Sequence, residues 1–112
     1  MTEPLVETLR GPDTGYVYLF KCENYYKIGI AQDVMDRLSN LQIGNPFEIS
    51  MVKHVRVFHP YELEEELHCR QERYRTSGEW FKLPQEALDE VKTRMDLEVE
   101  DQVAAKAQVE QD

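Results

Sequence analysis

Gly15-Tyr16-Val17-Tyr18-Leu19-Phe20, followed after Glu23-Asn24 by Tyr25-Tyr26-Lys27-Ile28-Gly29-Ile30, is the stretch that decides the fold. Two aromatic and β-branched runs flank a two-residue turn, the pattern of a tight β-hairpin. With Glu23-Asn24 as the turn, Cys22 faces Tyr25, Phe20 faces Lys27 and Tyr18 faces Gly29. Side chains alternate between faces, so Val17, Leu19, Tyr26, Ile28 and Ile30 share one and Tyr18, Phe20 and Lys27 the other. A slip of one residue would separate Tyr18 from Lys27.

Outward from the hairpin, Asp33 is placed to cap a helix running to about Gln42. Val34, Leu38 and Leu41 form its apolar stripe, with Arg37 at the stripe's edge. Gly44-Asn45-Pro46 turns the chain. Ile49 to Phe58 reads as the next strand, with Ile49, Met51, Val55 and Val57 on one face. Pro60 suits the first turn of a second helix reaching about Tyr74, with Leu63, Leu67 and Tyr74 buried. Gly78 breaks the chain, Glu79-Trp80-Phe81 is a short extended piece, and Pro84 opens a third helix with Leu88, Val91 and Met95 inward. The expected architecture is α+β, a small three-stranded antiparallel sheet flanked by helices. The expected organisation is a flexible arm over 1–14, a domain over 15–96 and an acidic tail over 97–112, either a frayed helix or disordered.

The chain has 112 residues, enough for one domain with one hydrophobic core, and 41% apolar residues. No apolar run reaches the roughly 20 residues of a membrane helix, and Met1 to Arg10 lack the pattern of a signal peptide. A cytoplasmic protein is expected, with no membrane partner. Two cysteines, Cys22 and Cys69, make no disulfide framework. A zinc site from His54, His59, His68 and Cys69 lacks regular ligand spacing.

The net charge of −9 opposes nucleic-acid binding, but it is unevenly placed. Residues 84–112 carry nine acids against three bases, whereas residues 15–83 carry ten against nine. Four acids of that middle segment sit together at Glu62, Glu64, Glu65 and Glu66. Lys21, Lys27, Arg37, Arg70, Arg73, Arg75 and Lys82 therefore leave room for a local basic surface, with weak, salt-sensitive affinity for nucleic acid.

The order of hairpin, glycine-ended strand and arginine-bearing helix resembles the GIY-YIG nuclease superfamily. Its first motif corresponds to Tyr16-Val17-Tyr18 and its second to Lys27-Ile28-Gly29, with Arg37 ten residues after Lys27. Lys27 stands where the family has its second tyrosine. The nearer likeness is to a phage and bacterial branch labelled a DNA-binding domain or predicted nuclease. That branch has lysine before Ile-Gly, a Leu-His pair, matched by Leu67-His68, and a later Gly-Glu-Trp-Phe, matched by Gly78-Glu79-Trp80-Phe81. The family's late asparagine has no evident counterpart.

The resemblance implies a metal-dependent endonuclease acting on phosphodiester bonds of nucleic acid, with DNA the expected partner. Tyr18, Lys27, Arg37, Glu64 and His68 would be its site residues. Lys27 and Arg37 would hold the phosphate, Tyr18 would help activate water, and Glu64 would bind one Mg²⁺ or Mn²⁺. His68 would be a proton donor or support a neighbouring group. The other reading is a non-catalytic module on the same fold, binding nucleic acid or a protein. Each residue also has an ordinary role: Tyr18 as a half-exposed strand tyrosine, Lys27 as a solvent-facing lysine, Arg37 as a helix-surface charge and the glutamates as a solvated helix face. Glu79 reads first as structural.

Overall fold

The computed structural model describes residues 14–111, with side chains described to residue 100, so nearly all of the expected arm lies outside the described residues. Strands β1 (Gly15–Cys22) and β2 (Tyr25–Ala31) form the hairpin. Their register pairs Tyr18 with Gly29, Phe20 with Lys27 and Cys22 with Tyr25, as the alternation requires. Glu23 in the turn has a φ of 57°, a left-handed conformation in which a side chain is strained.

Helix α1 (Val34–Gln42) follows, and the Asp33 carboxylate accepts a hydrogen bond from the Asp36 N–H at 3.0 Å. β3 (Ile49–Val57) pairs with the outer side of β1. Next come α2 (Pro60–Arg70), a 3-10 turn (Glu72–Tyr74), β4 (Arg75–Ser77), β5 (Trp80–Phe81) and α3 (Gln85–Gln111). The second helix ends four residues before the expected Tyr74 and Tyr74 is only half-buried. Gln71, buried where α2 stops, instead donates to the Glu90 carboxylate of α3 at 2.6 Å. Beyond residue 96, α3 continues to Gln111, and Val99 packs against the main core.

The class is α+β and the sheet is antiparallel, but it has five strands in the order β3-β1-β2-β5-β4 rather than three. The extra strands are two and three residues long, too short to show periodicity. β5 is a strand because Phe81 and Trp80 pair with Tyr26 and Lys27 of β2 on one side and with Arg75 and Ser77 of β4 on the other.

Helices cover both faces. On one, Val17, Leu19, Ile28 and Phe81 pack against Leu63 and Leu67 of α2 and Leu88, Val91 and Met95 of α3. Each such buried side chain contributes roughly 1.5–3 kcal/mol. On the other, Tyr18, Phe20 and Cys22 pack against Val34 of α1 and Ile49. The single apolar face expected for β3 is corrected here. A bulge moves the pairing from Leu19–Lys53 to Phe20–Met51, leaving Val52 unmatched. One extra residue reverses the alternation. Ile49 therefore joins the α1 side, while Val55 and Val57 join the α2 and α3 side.

Candidate functional site

The site begins with a glycine. Gly29 lies directly across from Tyr18, and a Cβ built on it would stand 2.5 Å from the Tyr18 Cζ. The phenol ring lies over Gly29 because nothing projects from that position. The ring also stacks on Phe20, with centroids 4.0 Å apart. Tyr18 is fully buried, so it is not the half-exposed strand tyrosine of the ordinary reading. Its hydroxyl receives a hydrogen bond from Arg37 Nε at 3.4 Å. Arg37 sits on an exposed turn of α1, one turn after Asp33, and reaches back over the sheet.

Lys27 follows two residues before Gly29 on the same face. It is buried, and its Nζ lies 2.9 Å from Glu79 Oε1 and 5.6 Å from the centre of the Trp80 ring. The ordinary reading of a solvent-facing lysine therefore fails too. The β5 pairing fixes this geometry: Lys27 faces Trp80, which puts Glu79 at the end of the lysine chain.

β5 covers β2 for only two residues, so the β2 edge opens at Ile28. Both backbone groups of Ile28 are satisfied there. Its N–H donates to the Glu79 carbonyl at 3.3 Å, and its carbonyl accepts from His68 Nε2 at 2.8 Å. A carbonyl can only accept, so Nε2 carries a proton. His68 thus docks α2 against the open edge, and its ring rests 5.1 Å from that of Phe81.

Glu64 lies one helical turn before His68 and points to the same edge. The four-acid run resolves by position. Glu62 and Glu65 are exposed, Glu66 binds Arg94 and Arg70, and Glu64 is half-buried beside the site. Burial pushes the Glu64 carboxyl above the usual range, and the adjacent Glu79 carboxylate pushes it further; His68 and Lys27 pull it down. The Tyr18 phenol is likewise raised, mainly by burial, with the Arg37 hydrogen bond and charge opposing. It remains a neutral phenol at neutral pH.

The structure thus brings Tyr18, Lys27, Arg37, Glu64 and His68 to one end of the β2 edge. It adds Glu79, which sequence reasoning set down as structural. The signal for Glu79 was its place in Gly78-Glu79-Trp80-Phe81, but its partner Lys27 is 52 positions away. The broader basic surface does not assemble around this point. Arg70 and Arg75 are tied to Glu66 and Glu72, Arg73 lies over Tyr74, and Lys21 over Tyr26. Among the described residues no three His, Cys, Asp or Glu side chains form a group that could enclose a metal, so the zinc set weighed from the sequence is not assembled. No helix among them is long and apolar enough to cross a membrane.

Comparison with the curated proteins and with the solved structures gave no match. The family model of the T5orf172 domain matches residues 15–96, from the first residue of β1 into α3 and including every residue of the site. The chain belongs to the T5orf172 domain family.

Proposed function

We propose that this domain is a metal-dependent endonuclease of the GIY-YIG type, cutting phosphodiester bonds of nucleic acid, with DNA as its partner. The observation that carries the reading is the contact of Arg37 with the buried Tyr18 hydroxyl, beside Lys27. Two cations and a phenol at one point suit a phosphate and the water that attacks it.

Arg37, exposed and bearing a forked guanidinium, takes two phosphate oxygens. Lys27 supplies a second positive charge once its ammonium turns from Glu79. Once Arg37 has swung from the Tyr18 hydroxyl onto the phosphate, Tyr18, kept neutral by burial, accepts a hydrogen bond from the incoming water and aligns it with phosphorus. The water oxygen bonds to phosphorus, the bond to the leaving alkoxide oxygen breaks, the water's proton passes to a carboxylate, and the alkoxide takes a proton from solvent. A carboxylate whose affinity for protons is raised, as at Glu64, is the better acceptor. His68 holds the edge of β2 and the helix that carries Glu64.

The donor set fits a hard divalent cation. Glu64 and Glu79 bring two carboxylates together, and a cation between them would relieve both the burial of a bare charge and the repulsion that raise Glu64. Mg²⁺ or Mn²⁺ takes one or two carboxylates and keeps several waters, so no closed cage is needed. Bound there, the ion would supply Lewis-acid stabilisation and an activated water.

The Lys27–Glu79 ion pair favours a second reading, since it offsets the charge of one of the two site cations: a non-catalytic module that binds nucleic acid or a protein. Incubating DNA and RNA with the purified chain in Mg²⁺, Mn²⁺ and chelator separates the two. The nuclease reading requires metal-dependent cutting that Glu64→Gln abolishes while binding persists. Binding without cutting, unaffected by Tyr18→Phe and Glu64→Gln, selects the module.

A further inference from the structure

The face that carries Tyr18 and Lys27 continues toward the hairpin turn. Two residues beyond Lys27 on the same face is Tyr25, and two beyond Phe20 is Cys22, a step of roughly 7 Å along each strand. There the sheet forms one wall of a cleft of about 450 Å³. Its aromatic walls are Tyr25, Phe47 and Trp80, with Cys22 at its buried base and Asn45 and Ser77 at the rim. Tyr25 and Phe47 are 40% and 52% exposed, high for aromatic rings. Trp80 belongs to both places, since it lines the cleft and its ring carries the Lys27 ammonium.

We infer that this cleft is a stacking subsite for one unpaired nucleobase, the base next to the phosphate held by Arg37 and Lys27. The inference rests on the phosphodiester reading of the neighbouring site. Three aromatic side chains around an open cleft offer π-faces to a flat heterocycle, and base–aromatic stacking accepts any base. The cation beside Trp80 says which flat group belongs there: one tethered to a phosphate. The rim gives little basis for choosing among bases. The Asn45 carbonyl oxygen already accepts from the Phe47 N–H at 2.9 Å, and its amide faces the Cys22 sulfur at 4.0 Å. The Ser77 hydroxyl can both donate and accept. A base held here must be out of its duplex stack, so the substrate is single-stranded or locally opened at the scissile step.

Trp80 is the single tryptophan of the chain, so its fluorescence reports on the cleft directly. The test titrates the full chain, in chelator, with a short single-stranded DNA and with the same strand made abasic at every position. Both carry the same phosphates. The natural strand should quench Trp80 and bind about tenfold more tightly than the abasic strand. Phe47→Ala and Tyr25→Ala, at exposed rings whose loss opens no core cavity, should each close most of that gap, and Phe47→Tyr should restore it. Equal affinity for the two strands overturns the stacking subsite and leaves the phosphate reading intact. A gap that survives both alanine variants overturns it as well. No binding of either strand at low salt overturns the subsite together with the phosphate reading.

Discussion

The Tyr18 hydroxyl and the α-carbon of Gly29 face each other across the β1–β2 pair, and the space over the glycine is the space the phenol occupies. The glycine of the Lys27-Ile28-Gly29 motif therefore seats the ring. Gly29→Ala should displace Tyr18 from Arg37 and destabilise the domain by roughly 1–3 kcal/mol, the usual cost of overpacking. Chemical denaturation measures the loss. Adding Tyr18→Phe should recover part of it, because the hydroxyl is one of the clashing atoms; a strictly additive double variant would contradict the arrangement.

Tyr18 should ionise above the ordinary tyrosine value. Burial holds its phenol above the ordinary value near 10, so the folded state binds its proton more tightly than the unfolded chain does. Stability should therefore decline as pH rises from the ordinary tyrosine value toward the folded one. Phenolate absorbance should show the late component, and Tyr18→Phe should remove it. Arg37→Ala should move it higher still, since Arg37 is what opposes burial.

Two glutamates two residues apart on α2 should act in opposite directions with pH. Arg94 binds Glu66 through two hydrogen bonds of 2.8 and 3.1 Å, which with Arg70 hold its carboxyl below the usual range. That stabilisation is present at neutral pH and is lost as pH falls through the ordinary carboxylate range to the lower folded value. Glu66→Gln should cost about 1 kcal/mol at pH 7, reduced by partial solvent screening, and nothing in strong acid. Glu64 is raised, so its ionisation opposes folding at neutral pH, and the penalty shrinks as pH falls through its folded value and is gone below the ordinary carboxylate range. Glu64→Gln should thus leave the melting temperature at pH 7 unchanged or higher.

Glu79→Gln should separate affinity from turnover. It removes a negative charge 2.9 Å from Lys27, so binding of single-stranded DNA at low salt should tighten several-fold, with a steeper salt dependence. Cleavage should fall, because Lys27 and Glu64 both lose the neighbour that places them. Weaker binding would mean that the ion pair is needed to aim Lys27 at the phosphate.

Glu23→Gly should raise stability by roughly 1 kcal/mol, or a few degrees in melting temperature, because glycine adopts the φ of 57° without strain. A fall in melting temperature would show that the Glu23 side chain makes a contact worth more than that strain.

The period-two alternation of the hairpin was enough to pair Tyr18 with Gly29 and Phe20 with Lys27, because register follows from turn length and from which face is apolar. The helix stripes were legible for the same reason: Asp33 caps α1, and Leu63, Leu67, Leu88, Val91 and Met95 recur at helical spacing and are buried. These are local constraints, and local sequence contains them. Three features had no local cause. The bulge at Val52 reverses the faces of β3 because β3 must pair with a β1 already buried on both sides. β5 joins the main sheet because β2 offers it an edge, and that pairing places Glu79 on Lys27. Glu64 differs from Glu62 and Glu65 only in which way α2 turns when His68 docks on the Ile28 carbonyl. Each depends on contacts between segments far apart in the chain, and a single acidic run or a three-residue strand cannot encode them. The spacing of short motifs determined which residues were candidates, while the open edge of β2 decided which of them meet.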